Sequence, residues 1–334
     1  MVTVVGAEPS AAQVGRRPLL ADGVLNVRKE RGWTSHDVVA KLRGLLRQPK
    51  LGHAGTLDPE ATGVLPVLVG KATRIAEYLL AWDKEYRAVL RLGETTDTQD
   101  AAGTILEVRE TAHLTEGMIR AILPRFQGTV RQLPPMYSAV KVGGKPLYKS
   151  ARAGLSVERE ARDVVVHELV CERIEGRDVW LRVVCSKGTY VRTLCADIGE
   201  ALEVGGHLLS LERTRVGPLH VEDATGVEDI KARLSRCEPA GQIMPLDEAL
   251  SHLPAITTTP QAMAKVKHGA PLGLADLTEE ARLIIRAGVE GGPVRVRDQA
   301  GHLLAVGRLP ATLSDPVALG KVFVNDADAE SATA

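Results

Sequence analysis

The stretch from Gly52 to Gly70 constrains this chain more than any other. It reads Gly-His-Ala-Gly-Thr-Leu-Asp-Pro-Glu-Ala-Thr-Gly-Val-Leu-Pro-Val-Leu-Val-Gly. Gly52, Gly55 and Gly63 permit tight backbone in its first half, and Pro59 fixes φ directly after Asp58. Its second half, Val64 to Val69, is a short apolar run of the kind that enters a buried sheet. A rigid loop that presents His53 and Asp58 beside a buried strand can hold a carboxylate at the floor of a cleft. Taken alone, Asp-Pro is ordinary turn chemistry, and that reading stands beside the functional one.

At 334 residues the chain has room for two domains and a sizeable core. The 42 basic and 42 acidic residues cancel, which argues against a tail-driven polycation and leaves room for a local basic face. Cys171, Cys185, Cys195 and Cys237 form no Cys-x-x-Cys pair and meet no His at zinc-finger spacing. They read as reduced, mostly buried thiols of a cytosolic protein without structural zinc. Residues 1–20 lack a positive start followed by a long apolar stretch, and read as a disordered lead rather than a signal peptide or membrane span.

Along the chain, Gly23–Val27 is expected as a strand. Thr34 or Ser35 can cap a helix with Val38, Val39, Leu42, Leu45 and Leu46 on its apolar face. Nine Lys and Arg crowd residues 16–50: Arg16, Arg17, Arg28, Lys29, Arg31, Lys41, Arg43, Arg47 and Lys50. Such a run is either a solvated face or a phosphate-contacting surface. A helix with Ile75, Leu79 and Leu80 inward is expected over residues 71–80, followed by a half-buried strand over Lys84–Gly93 with Tyr86, Ala88, Leu90 and Leu92 on one face. Asp97-Thr98-Gln99-Asp100 could suggest a metal loop, but with no further ligands it reads as a solvated turn.

Further on, Thr115–Phe126 reads as a helix, Met136–Lys141 as a strand, Gly143-Gly144 as a turn and Pro146–Ala153 as a short helix. Tyr137, Lys141, Lys145, Tyr148, Lys149 and Arg152 mix aromatic rings with cations across residues 128–160, a mixture that suits splayed bases and phosphates and also ordinary surface. Strands are expected at Val164–Ile174 and Val179–Ser186, leading into Lys187-Gly-Thr-Tyr190-Val-Arg192. If the backbone stays extended through Arg192, Tyr190 and Arg192 point to one face. Were it helical, they would stand about 200° apart. The extended form is predicted, with a helix over Thr193–Leu202. A strand at His207–Val216 and a helix at Val227–Leu234 close the first domain. A short helix at Thr259–Lys267 and strands at Arg282–Ala287, Pro293–Asp298, His302–Leu309 and Lys321–Val324 form a second domain, and residues 326–334 read as a disordered tail.

The segments around Asp58, Tyr86 and Tyr190 to Arg192, taken in this order, resemble the motifs of the tRNA pseudouridine-55 synthases of the TruB family over residues 22–250. The resemblance implies a mixed, mainly antiparallel α+β sheet flanked by helices over residues 21–252, with residues 128–160 as an RNA-gripping insertion. The segment Val296 to Gly307 more weakly resembles a PUA-like RNA-binding β-barrel, placed at residues 253–325. It implies that Asp58 is the catalytic carboxylate, Arg192 its partner, Tyr86 the ring against the target base and Tyr190 a pocket wall. His53 would fill the gap left by a flipped base, and Tyr137 and Lys141 would bind substrate. The family's Asp-Lys-Pro segment stands here as Arg28-Lys29-Glu30. Lys29 and Gly32 therefore carry over as supporting structure, with Lys29 grouped on the substrate side.

The implied reaction moves uracil from an N1–C1′ to a C5–C1′ bond in the T loop of tRNA, with no cofactor and no metal. A cytoplasmic monomer with no membrane attachment and no obligate protein partner is expected. An RNA-folding factor and a guide-RNA-dependent synthase are the alternatives.

Overall fold

The alternating pattern that begins at Lys84 becomes the middle of the molecule. In the computed structural model, which describes residues 21–138, 140–147, 155, 157–286, 291–312 and 315–324, Lys84, Tyr86, Ala88, Leu90 and Leu92 are all buried along strand Lys84–Leu92. This strand pairs antiparallel with Asp178–Cys185 on one side and Gly206–Val216 on the other. From edge to edge the main sheet runs Thr225–Gly226, Gly23–Lys29, Thr62–Val69, Gly206–Val216, Lys84–Leu92, Asp178–Cys185, Arg162–Glu175 and Gly128–Gln132. Two of these neighbours are parallel, Gly23–Lys29 with Thr225–Gly226 and Gly206–Val216 with Thr62–Val69. The rest are antiparallel, which gives the mixed α+β sheet expected.

Helices cover the sheet where its strands are apolar. Helix Ser35–Leu46 lays Val38, Val39 and Leu42 on Leu25, Val27, Leu65 and Val67. Helix Val191–Ala201 lays Leu194, Cys195 and Ile198 on Ala88, Leu90, Leu181 and Val183. Burying one such aliphatic side chain contributes about 1.5–3 kcal/mol, so these contacts fix the two helices on the sheet. Of the two capping candidates Thr34 serves, in a capping box with Asp37. Three of the four cysteines, Cys171, Cys185 and Cys195, are buried.

Several expectations change. The helix that carries Arg192 begins at Val191, and only Tyr190 before it is extended, with φ −101° and ψ 106°. Gln132 holds the residue just before it: its side chain accepts the Tyr190 N–H at 3.0 Å and donates to the Tyr190 carbonyl at 3.3 Å, fixing from another strand where the extended chain stops. Met136–Lys141 is no strand: only Lys141–Val142 pairs, with Lys145–Pro146 across the Gly143-Gly144 turn. The Tyr137 carbonyl goes to Arg192 instead of to a ladder.

Arg282–Ala287 is also not a strand, since a helix spans Glu279–Arg286. Ala281 and Ile285 are buried while Leu283 is 57% exposed, a spacing of four rather than two. Residues 70–80 form a 3-10 turn, Gly70–Ile75, and a short helix, Ala76–Leu79, that leave Leu80 exposed rather than inward. Arg16, Arg17, Tyr148, Lys149, Arg152, most of the expected helix Pro146–Ala153 and both expected disordered ends lie outside the described residues.

Ala255–Thr257, Pro293–Arg297, Leu303–Arg308 and Ala318–Val322 build a second sheet, in that order, over a core that includes Ile256, Val266, Leu272, Val294 and Val296. It is the small C-terminal β domain of the expected architecture. Arg295 ties it to the first domain by donating to the Asp247 and Ser251 carbonyls, and Lys71 Nζ reaches the Phe323 carbonyl at 2.8 Å.

Candidate active site

Asp58 stands in a loop fixed on both sides. Before it, the Leu57 N–H donates to Ser35 Oγ at 2.9 Å, and the Ser35 hydroxyl donates back to the Leu57 carbonyl. After it, the Pro59 carbonyl accepts from the Gly32 N–H at 2.9 Å and from Lys29 Nζ at 3.0 Å. The Ala61 N–H closes a turn onto the Asp58 carbonyl at 3.1 Å. The functional and turn readings of Asp-Pro are therefore both true of the same residues. Underneath lies Arg213, 1% exposed, whose Nε donates to the Val64 carbonyl and whose Nη2 donates to the Gly55 carbonyl. Gly63 is a necessity here. Its φ is +103°, and a Cβ would lie 2.2 Å from the Arg213 carbonyl oxygen.

Across the recess, Arg192 is 5% exposed and spends its whole guanidinium on this site. Nε forms an ion pair with Asp58 Oδ2 at 3.0 Å. Nη1 reaches Asp100 Oδ2 at 3.3 Å and the Thr98 carbonyl at 3.2 Å, and Nη2 donates to the Tyr137 carbonyl at 2.9 Å. Asp100 is itself held by the Thr98 hydroxyl at 2.6 Å and the Ala102 N–H at 3.1 Å. The turn at Asp97–Asp100 is thus the second carboxylate support of Arg192, not a solvated loop. Among the described residues no group of three His, Cys, Asp or Glu side chains is placed to hold a metal.

The electrostatics favour a carboxylate that holds its proton more readily than usual. Burial raises the Asp58 carboxyl above its ordinary range, Arg192 and Lys29 pull it down, and Asp100 pushes it further up. The side chain is nevertheless 44% exposed. Neighbouring atoms crowd the carboxyl while part of it stays open, which is what a carboxylate facing a substrate requires. Tyr86, 8% exposed, has its phenol raised by burial against the pull of the nearby Arg213 guanidinium. Tyr190 is half-buried, and its phenol is raised first by burial and also by the nearby Asp58, against the pull of Arg192. The helical start at Val191 therefore still leaves Tyr190 and Arg192 beside one carboxylate.

Lys29 has no face for a substrate. It is fully buried, with Nζ donating to the carbonyls of Glu30, Trp33 and Pro59, and burial lowers it to about 8. It acts as a strut under the Asp58 loop, in keeping with a supporting role and not a substrate-binding one. Tyr137 reaches the site through its carbonyl, and the Lys141 side chain lies outside the described residues.

His53 is half-buried at the end of strand Leu51–His53, edge-on to the His36 ring at 5.4 Å. Burial, with help from His36 and Arg213, lowers it to about 4. It presents a neutral ring near pH 7, suited to stacking and not to pairing with a phosphate. A ¹⁵N NMR titration should find the ring uncharged down to about that pH. Because the folded value is depressed, the neutral ring's contribution to stability is full above the ordinary value of 6.5 and lost as pH falls towards 4. A ring that titrates at the ordinary value would contradict this environment.

Tyr86 can be tested by shape. If its ring supports a base, Tyr86→Phe will exceed Tyr86→Leu in activity by about tenfold, since base–ring stacking is worth about 1–3 kcal/mol. Equal, near-wild-type rates for both would defeat the role.

Arg213 and Gln132 were not singled out by sequence, and Asp100 and Ser35 were read only as a turn residue and a capping candidate. A polar residue inside a strand or turn carries no sign of which carbonyl or guanidinium it will meet.

The chain matches two family models, the N-terminal domain of the TruB family pseudouridylate synthases over residues 43–191 and the tRNA pseudouridylate synthase B C-terminal domain over residues 192–251. Similar proteins named tRNA pseudouridine synthase B include one from Symbiobacterium thermophilum, 49% identical and covering 74% of this chain and 82% of the relative. Another, from Burkholderia mallei, is 43% identical and covers 92% of this chain and 95% of the relative. Among solved structures, a Cbf5-Nop10-Gar1 complex superposes with a TM-score of 0.70 at 32% identity, covering 90% of this chain and 85% of that one. An H/ACA RNP bound to a substrate RNA containing 2′-deoxyuridine gives 0.68 at 30% identity, covering 91% and 85%.

Proposed function

Because the chain belongs to the TruB family of pseudouridylate synthases, we propose that it isomerises uridine to pseudouridine in tRNA, at position 55 of the T loop. The observation that carries this reading is the ion pair between a half-open Asp58 and a buried Arg192, brought together from opposite ends of the catalytic fold.

The chemistry needs little else. The N1–C1′ bond breaks, the base turns within the pocket, and C5 joins C1′. C5 gives up a proton and N1 gains one, so atoms and electrons balance without a donor or an oxidant. Asp58 supplies the anion at the ribose, either as nucleophile at C1′ or as the group that assists loss of a ribose proton. Arg192 keeps that anion oriented. Tyr86 flanks the base, and Tyr190, beside the carboxylate, is placed to exchange the proton at C5. The uridine first leaves its stack, at a cost of a few kcal/mol, and His53 fills the space as a neutral ring.

Of the two structural neighbours named above, one is an H/ACA RNP bound to a substrate RNA and the other a Cbf5-Nop10-Gar1 complex, which keeps a guide-dependent reading in view. The higher identity to the two synthase relatives, 43–49%, favours a protein that acts alone on tRNA, as a cytoplasmic monomer. Among the described residues no helix is long and apolar enough to cross a membrane. The deciding experiment incubates the purified chain, with no other protein, with an unmodified T-arm stem-loop and maps pseudouridine at single-nucleotide resolution. Conversion at the position-55 uridine is expected. No conversion, or conversion elsewhere, overturns the reading.

A further inference from the structure

The basic run at residues 16–50 divides once its side chains are placed. Lys29 is buried, Arg28 reaches Glu212 at 3.3 Å, and Arg31 lies 3.7 Å from Glu60. Lys41 stands exposed on another face of helix Ser35–Leu46, and Arg43, Arg47 and Lys50 lie at and beyond its far end. His36, Ala40, Arg43 and Arg47 follow one another at helical spacing along one face, and all four are exposed. Lys50 follows, also exposed.

This face runs beside the strand that ends at His53. Arg43 joins the two, donating to the Pro49 and Leu51 carbonyls at 3.2 Å each, and the His36 ring touches His53. Among the described residues no carboxylate lies within ion-pair distance of Arg43, Arg47 or Lys50; the one acid in the first turn, Asp37, is committed to the Thr34 cap. Elsewhere on this neutral molecule the exposed cations are commonly paired, as Arg182 is with Glu168 and Arg236 with Glu238. The face is therefore aromatic at its His36–His53 end and increasingly positive away from it.

We infer that this face is a track for the sugar–phosphate backbone of the strand that flanks the flipped uridine, with the His36–His53 pair next to the base and Arg43, Arg47 and Lys50 on successive phosphates. The inference rests on the reading of tRNA as substrate. Helical rise makes the distance from His36 to Arg47 about 16 Å, long enough to follow more than one consecutive phosphate of a single strand. Ring stacking at one end and cations at the other is how proteins follow a single strand out of a reacting site.

The test uses Arg47→Gln with Lys50→Gln in the full-length chain, because neither side chain makes a bond that the fold needs. Arg43 is left intact for its two carbonyls. Binding to a full tRNA transcript is measured at several salt concentrations. Each lost phosphate contact should flatten the slope of log K against log salt by about 0.7–0.9, and KM should rise. Lys231→Gln, whose cation is paired with Glu228 at 3.3 Å, is the control and should leave the slope alone. A double variant with the wild-type slope overturns the track while the assigned activity stands. A wild-type protein that neither binds nor converts tRNA overturns the parent reading itself.

Discussion

Asp58→Asn will lower turnover by at least about 10²–10⁴-fold, the range associated with one essential proton-transferring or nucleophilic group, while tRNA binding stays close to wild type. The amide fills the same space but neither attacks C1′ nor accepts a proton. The fold has little reason to change. The replaced side chain is 44% exposed, and the loop is held by the backbone of Leu57 and Pro59, not by the carboxylate. Arg192 keeps Asp100 and the Thr98 and Tyr137 carbonyls, so no buried cation is orphaned. Single-turnover rates and equilibrium binding on the same preparation check both halves. Substantial residual turnover would remove Asp58 from the reaction. An RNA-folding role alone would show itself as full biological effect from this inactive variant.

Arg192→Met should have the second large effect, and on two properties at once. Removing one partner of a buried charge pair costs about 3–5 kcal/mol, and here two carboxylates and two carbonyls lose their shared donor. Arg192→Lys will rescue little, because one ammonium cannot span Asp58, Asp100 and Tyr137 as the planar guanidinium does. The pH profile separates chemistry from stability. Arg192 lowers the Asp58 carboxyl against the upward push of burial and of Asp100. Without it, the carboxylate ionises only at higher pH, so the acid limb of kcat moves upward. Asp100→Asn removes a negative neighbour from the same carboxyl and should move that limb the other way. Limbs that do not shift in either variant would show that Arg192 is a structural brace only.

The strands around Lys84–Leu92 were legible because their apolar residues alternate, and the helix at Ser35–Leu46 because its cap and stripe agree. Asp58 and Arg192 were legible as members of motifs, though their meeting at 3.0 Å depends on strand order, which no local pattern contains. The early start of the helix at Val191 was hidden for a related reason: Tyr190, just before it, is held by Gln132, which lies far back in the chain. Arg282–Arg286 misled because a run as short as Leu-Ile-Ile suits either period, and only the burial of Ala281 and Ile285 decides. Asp100 and Arg213 look like any other polar residue until the carbonyls around them are known.

Gln132 and Tyr137 belong to the least protected margin of the sheet. Strand Gly128–Gln132 is the outermost, four of its five residues are at least partly exposed, and among the described residues it pairs with one strand, Arg162–Glu175. Edges of this kind open with less free energy than the centre. Opening here would release both the amide that holds Tyr190 before the Arg192 helix and a carbonyl that grips the guanidinium. On slow heating, catalytic competence should therefore fade several degrees before circular dichroism records any melting, so that a sample judged folded by its spectrum can already be inert.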